Sequence, residues 1–168
     1  MAGKKKKVAK KGISIYFLSG IFLITLFDQI TKIWVETKMN LMESIPIIKG
    51  VFHITYILNP NSAFGILRFP NTVFVVVTIL VILLIIFLLR KKITPENKLV
   101  FFSLIFILGG SLGNMIDRLR VGSVIDFLDF QIWPIFNIAD SALNIGLFML
   151  IIYFLFQKEE INENEDDN

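Results

Sequence analysis

The eighteen residues from Thr72 to Leu89 carry no charge and are β-branched or aliphatic nearly throughout. At a rise of 1.5 Å per residue such a run makes a helix about 27 Å long, close to the roughly 30 Å hydrocarbon thickness of a bilayer. A helix that is apolar all round must be buried, in a large core or in lipid, and a chain of 168 residues has no soluble core of that size. Three more apolar segments follow the same logic: Ile13 to Val35, Leu99 to Ile116 and Ile135 to Phe156. The composition agrees, with 55% hydrophobic residues and only 18% charged, against about 25% charged in an average soluble domain. The expected fold is a single integral membrane domain over residues 1–168, mainly α, with four transmembrane helices.

The first apolar segment follows a basic head, as a signal peptide would. It is too long, however, and Asp28-Gln29-Ile30-Thr31-Lys32 stands where a small-residue cleavage site would be needed. It is therefore read as a retained helix. Lys and Arg counts set the orientation. Residues 1–12, 90–98 and 157–168 hold eleven of the seventeen basic residues, which puts both termini in the cytoplasm. The lysines of the head then anchor to anionic membrane lipid rather than to nucleic acid. Residues 157–168 form an acidic cytoplasmic tail, read as disordered, and Pro95 stops helical continuation in the basic turn 90–98. Outside, residues 36–71 alternate apolar and polar side chains from Phe52 to Leu58 between turn signals, which predicts a small β-structured extracytoplasmic cap. Residues 117–134 are read as a short interfacial segment, with Phe127, Phe130 and Trp133 suited to the membrane surface.

Polar residues inside the spans keep helical spacing. Thr25, Asp28, Gln29 and Lys32 share one face; so do Gly110, Gly113, Asn114 and Asp117, and so do Asn137, Asp140, Ser141 and Asn144. All three stripes fall at the outer ends of their helices. Polar groups in hydrocarbon cost several kcal/mol unless paired or hydrated, so the stripes imply a shared, partly wet pocket. Interhelical hydrogen bonding explains single Asn or Ser residues in membranes, but four Asp between 117 and 140 exceed that need, and an intramembrane acid is a functional candidate.

With no cysteine and His53 as the sole histidine, thiol nucleophiles, Ser-His-Asp triads and His-rich metal sites are disfavoured, and no metal or cofactor is expected. Carboxylate-only metal sites belong in solvated loops. What remains is a pair of carboxylates sharing a proton, one activating water and the other donating to the substrate. Spacing alone does not select the pair. Asp126–Asp140 is the first choice, since Trp133-Pro134 lets the chain fold back, with Asp129–Asp140 behind it. A small ion-coupled transporter subunit would carry its acids nearer the bilayer midplane, and a structural membrane adaptor would need only packing motifs such as Gly109-x-x-x-Gly113.

Five short motifs in fixed order, with four matching spans, resemble the lipoprotein signal peptidase (signal peptidase II) family. They are Asp28-Gln29-Ile30-Thr31-Lys32, Asn59-Pro60-Asn61-Ser62-Ala63-Phe64-Gly65, Gly113-Asn114-Met115-Ile116-Asp117-Arg118, Val124-Ile125-Asp126-Phe127 and Phe136-Asn137-Ile138-Ala139-Asp140-Ser141. Asn61 and Ser62 stand where the family has Gly and Ala. The resemblance implies an intramembrane aspartic endopeptidase with Asp126 and Asp140 as catalytic residues. It implies supporting roles for Asp28, Lys32, Asn59, Asn114, Asp117, Arg118 and Asn137. It further implies a bacterial cytoplasmic membrane location, with the site near the outer face. The implied substrates are diacylglyceryl-modified prolipoproteins cleaved just before the lipidated cysteine, and the implied inhibitor is the peptide globomycin.

Overall fold

A computed structural model describes residues 2–60, 69–90 and 98–166. The elements run α1 (Ala2–Lys38), β1 (Ser44–Ile48), β2 (Phe52–Asn59), α2 (Asn71–Arg90), α3 (Lys98–Arg120), β3 (Val124–Asp129) and α4 (Ile138–Asp166). Among the described residues, three helices are long and apolar enough to cross a membrane: Ile15–Lys38, Lys98–Arg120 and Ile138–Phe156. The apolar stretch of α2, Asn71–Ile85, is shorter.

The burial pattern is that of a chain whose solvent is lipid. Phe22, Leu23, Phe148 and Phe156 are each more than 60% exposed, while Asp28, Lys32, Asp117 and Asn137 are fully buried, the reverse of a water-soluble surface. Helix α3 is the hub, packing against α4, α1 and α2. Its glycines allow this approach. A Cβ at Gly110 would collide with the Ala139 carbonyl of α4, and one at Gly113 would lie 2.5 Å from Asp28 Oδ2 of α1, the small-residue packing expected where lipid supplies no drive to associate. One apolar cluster, including Ile21, Leu104, Ile105 and Leu108, fills the helix interface; a second, Val35, Met39, Tyr56, Ile125 and Phe127, joins the end of α1 to the sheet.

The predicted cap forms as the β1–β2 hairpin, turning at Gly50 with φ of 72°, a conformation glycine adopts without a Cβ penalty. The segment 117–134 differs from its expected interfacial form. Val124–Asp129 is the third strand, antiparallel to β2, giving the order β1-β2-β3. It is buried on both faces, so its side chains lack the alternation that reveals a half-buried strand. The chain then turns through Gln131 (φ 63°) and returns, with Phe127 N and Leu128 N donating to Phe136 O at 3.0 and 2.8 Å.

Two ends also differ. Helix α1 begins at Ala2, inside the basic head, and α4 continues to Asp166, where a structureless acidic tail was expected. Lys and Glu are good helix formers, and both stretches extend an existing helix without a new nucleus. The basic turn around Pro95 and the Asn61–Ser62 positions lie outside the described residues.

Gly110→Val should lower the unfolding temperature in detergent sharply, since overpacking a close interface costs about 1–3 kcal/mol or more. Ile151→Val, at a half-exposed lipid-facing site, should shift it little. Equal shifts would show that the α3–α4 contact is not what limits stability.

Candidate active site

The first polar stripe becomes a buried ion cluster. Lys32 Nζ lies 2.9 Å from Asp28 Oδ2 and 2.7 Å from Asp117 Oδ2, with all three side chains at 0% exposure. Two carboxylates against one ammonium leave an excess negative charge, which neutral donors offset. Ala139 N donates to Asp28 Oδ1 at 2.8 Å, Ile125 N to Asp117 Oδ2 at 3.2 Å, and Gln29 Nε2 to Asp117 Oδ1 at 3.0 Å. The Ala139 amide is one of the unpaired N–H groups at the start of α4, so Asp28 of α1 acts as a partner for that helix terminus. Gln29 was in the sequence stripe but outside the candidate set; its i, i+4 position relative to Thr25 was the available signal. Both residues also bond α3 carbonyls, Thr25 Oγ1 to Gly109 and Gln29 Nε2 to Gly113, at 3.0 Å.

Asparagines connect this cluster to the two candidate carboxylates. Asn114 Oδ1 accepts from Lys32 Nζ at 2.9 Å, and its Nδ2 donates to Asp140 Oδ1 at 2.8 Å. Asn137 caps α4, accepting from Asp140 N at 2.8 Å through Oδ1. Its Nδ2 donates to Asp126 Oδ1 at 2.6 Å, and Asn59 Nδ2 donates to Asp126 Oδ2 at 2.9 Å. Asp126 thus comes from β3, Asp140 from the first turn of α4, and Asn59 from the end of β2. The Arg118 guanidinium lies 5.0 Å over the Phe74 ring and within the fields of Asp140, Asp126 and Asp117.

Asp126 and Asp140 face one cavity of about 300 Å³, with Asn59, Trp133, Phe136, Ser141 and Asn144 in its wall. Burial, reinforced by the Asp140 carboxylate, pushes the Asp126 carboxyl up to about 7, against hydrogen bonds from Asn59 and Asn137 that pull it down. A carboxyl titrating near neutrality can both accept and give a proton, as general acid–base work requires. A larger groove of about 800 Å³ between α1 and α3 is lined mainly by apolar side chains, with Tyr16, Ser19 and Lys98, and without a carboxylate.

The other sequence candidates are elsewhere. Asp129 accepts from Thr55 Oγ1 at 2.7 Å and from Gln131 N at 2.9 Å, at the opposite end of the sheet, where it faces His53 in register. His53 Nδ1 lies 3.1 Å from Ser44 Oγ. Neither residue lines the cavity. Among the described residues, no three His, Asp or Glu side chains gather so as to hold a metal.

The architecture has solved counterparts. Two structures described as bacterial membrane enzymes, solved by the in meso method, superpose with TM-scores of 0.81 and 0.75 at 32% and 34% identity, covering 86% and 83% of this chain and 90% and 92% of theirs. Fold and apolar helices together define an integral membrane enzyme. Residues 20–156 match the family model for signal peptidase (SPase) II. The lipoprotein signal peptidase of Halothermothrix orenii is 46% identical over 143 residues, covering 85% of this chain and 97% of the relative. That of Moorella thermoacetica is 46% identical over 134 residues, covering 80% and 89%. The chain belongs to the signal peptidase II family.

Lys32→Met should cost about 3–5 kcal/mol of folding stability, because it leaves buried carboxylates uncompensated. Arg120→Met, which breaks a partly exposed 2.7 Å pair with Glu36, should cost under about 1 kcal/mol. Thermal unfolding of the two variants, matched in detergent and lipid, measures the difference; similar losses would sink the assignment of the cluster as the stabilising centre.

Proposed function

We propose that this signal peptidase is an intramembrane aspartic endopeptidase whose Asp126–Asp140 pair removes signal peptides from diacylglyceryl-modified bacterial prolipoproteins just before the lipidated cysteine. The observation that carries this reading is the shared cavity, where two carboxyls are held by separate asparagines and the Ser141 hydroxyl in the wall is taken up by the Asn137 carbonyl oxygen at 3.0 Å. With one proton between them, the ionised carboxylate takes a proton from water as it attacks the scissile carbonyl. The protonated partner donates to the carbonyl oxygen; the first carboxyl then passes the proton it took from water to the leaving amine, and the partner recovers its proton from the diol as the C–N bond breaks. Asn114, Asn137 and Asn59 hold the carboxylate orientations, while Asp28, Lys32, Asp117 and Arg118 fix the elements that carry them.

The membrane arrangement belongs to the same proposal. Helix α2 is 20 residues long, about 30 Å, and is the fourth span. The lysine-rich head and the basic 90–98 segment keep both termini in the cytoplasm, so the sheet and the dyad lie at the outer face. Diacylation anchors the substrate in the plane of the enzyme, at about 0.8 kcal/mol per buried CH₂. The peptide inhibitor implied by the family resemblance is globomycin.

On a diacylated lipobox peptide, Asp126→Asn and Asp140→Asn should each abolish detectable cleavage, general acid–base groups being worth roughly 10²–10⁴-fold. The double variant should look scarcely worse, because groups that act as a unit are not additive. Asp129→Asn should retain substantial activity, and the unlipidated peptide should be cleaved poorly by the wild type. Normal rates from both dyad variants would sink the aspartic mechanism.

The pH dependence follows from Asp126. Its folded value near 7 lies above the ordinary 3.8, so the native state holds a proton that the unfolded state has already lost between about pH 4 and 7. Stability from this group is therefore full below pH 4, declines as pH rises through that window, and stays low above it. The wild type should lose more unfolding temperature between pH 4 and 8 than Asp126→Asn does. The activity, kcat/KM, should fall on the alkaline side with a midpoint near 7, as the dyad loses its shared proton. A flat profile to pH 9 would contradict a singly protonated active form.

A further inference from the structure

The third polar stripe does not end at the dyad. Asn144 lies one turn beyond Asp140 on α4, about 6 Å further along the helix and some 9 Å in from Ile138, within the span Ile138–Phe156. Its side chain is exposed and lines the cavity of the two carboxyls. Asn144 Nδ2 donates to the Asp140 carbonyl oxygen at 3.0 Å. That carbonyl can only accept, so the amide nitrogen must be the atom facing it. The side-chain oxygen, Oδ1, is thereby turned away from the helix as an acceptor at the cavity. An acceptor at that depth is costly unless something donates to it.

A substrate entering from the membrane meets the converse difficulty. Cleavage needs the scissile bond in extended form, so the signal peptide must unwind near that bond, and each backbone N–H released inside hydrocarbon costs several kcal/mol if unpaired. We infer that Asn144 is a substrate-positioning residue, whose Oδ1 accepts a backbone N–H from the unwound stretch of the signal peptide. The inference rests on the peptidase reading above and adds to it the group that registers the substrate. An extended chain advances about 3.3 Å per residue, so a group one helical turn from Asp140 reaches an amide about two residues on the signal-peptide side of the cleaved bond. Recognition of a main-chain group fits an enzyme that must accept many signal-peptide sequences, because the contact is blind to side chains.

The test pairs enzyme variants with backbone-altered substrates. Diacylated lipobox peptides are made with each of the three amides before the scissile bond replaced in turn by an ester, which removes the N–H. They are assayed with the wild type, Asn144→Leu and Asn144→Gln, each checked for folding by thermal unfolding. Loss of one such hydrogen bond corresponds to about tenfold. Asn144→Leu should raise KM on the all-amide peptide about tenfold with kcat little changed, and Asn144→Gln, which keeps an acceptor, should recover part of it. One ester substrate should show the same loss with the wild type and no further loss with Asn144→Leu. An unchanged KM in folded Asn144→Leu, or ester and variant losses that multiply at all three positions, overturns the role of Asn144 while leaving the peptidase reading intact. Failure of the wild type to cleave the all-amide peptide would instead sink that reading, and the inference with it.

Discussion

Lys32 is enclosed by two carboxylates from two helices, and the remaining structure is arranged around that enclosure. Burying an ion pair is not favourable in itself, because desolvation offsets much of the Coulombic attraction. The cluster is tolerable only because every carboxylate oxygen finds a donor, and those donors come from different elements. Asp28 receives the first-turn amide of Ala139, and Asp117 receives the strand amide of Ile125 and the side chain of Gln29. One charge thus ties α1 to α3, α3 to β3, and α1 to the start of α4. Moving any of these elements would expose an unpaired buried group, so the price of the cluster is also what fixes the positions of the two segments that carry Asp126 and Asp140.

Asparagine is the suitable residue for the next layer outward. Its amide both donates and accepts without titrating, so it can pass orientation from a charged cluster to a carboxyl without adding charge. Asn114 does this between Lys32 and Asp140, and Asn137 does it between the α4 terminus and Asp126. A lysine in either place would hold its neighbour ionised, and a further acid would repel it. Amides leave Asp126 free to sit near neutrality, held up by burial and by Asp140, which is the condition that a proton-sharing pair demands.

Helical periodicity made the α-helical parts of this arrangement legible. Thr25, Asp28, Gln29 and Lys32 do share a face, and that face does meet Gly113, Asn114 and Asp117. The choice between Asp126 and Asp129 was less accessible from spacing, because the strand holding both was hidden. Val124–Asp129 is enclosed on both sides, so its pattern is a continuous apolar run broken by acids rather than an alternation. Once it is a strand, the antiparallel register with β2 separates the two carboxyls along the sheet, Asp126 opposite Ile57 and Asp129 opposite His53. Asp126 then meets Asn59, and Asp129 meets Thr55. The pairing of β2 with β3 across more than sixty residues is a long-range contact that no local window contains. The continuation of α4 beyond its span was missed for a different reason: acidic content was read as disorder, whereas glutamate continues a helix readily once it is nucleated.

The origin of the two carboxyls bears on how hydrolysis could proceed beside lipid. Asp140 belongs to a helix long and apolar enough to cross the bilayer, whereas Asp126 belongs to a sheet whose β1 edge is exposed along its whole length. On the proposed reading, the dyad therefore straddles the boundary between two solvents. Water arrives from the side of the sheet, and the acyl-anchored substrate arrives sideways through lipid, past Ile145 and Phe148 of α4. A pair set wholly in the spans would lack its second reactant, and a pair set wholly in the cap would be out of reach of a peptide bond tethered by two acyl chains. Joining one strand residue to one helix residue through Asn137, which touches both, satisfies the two requirements with a single side chain.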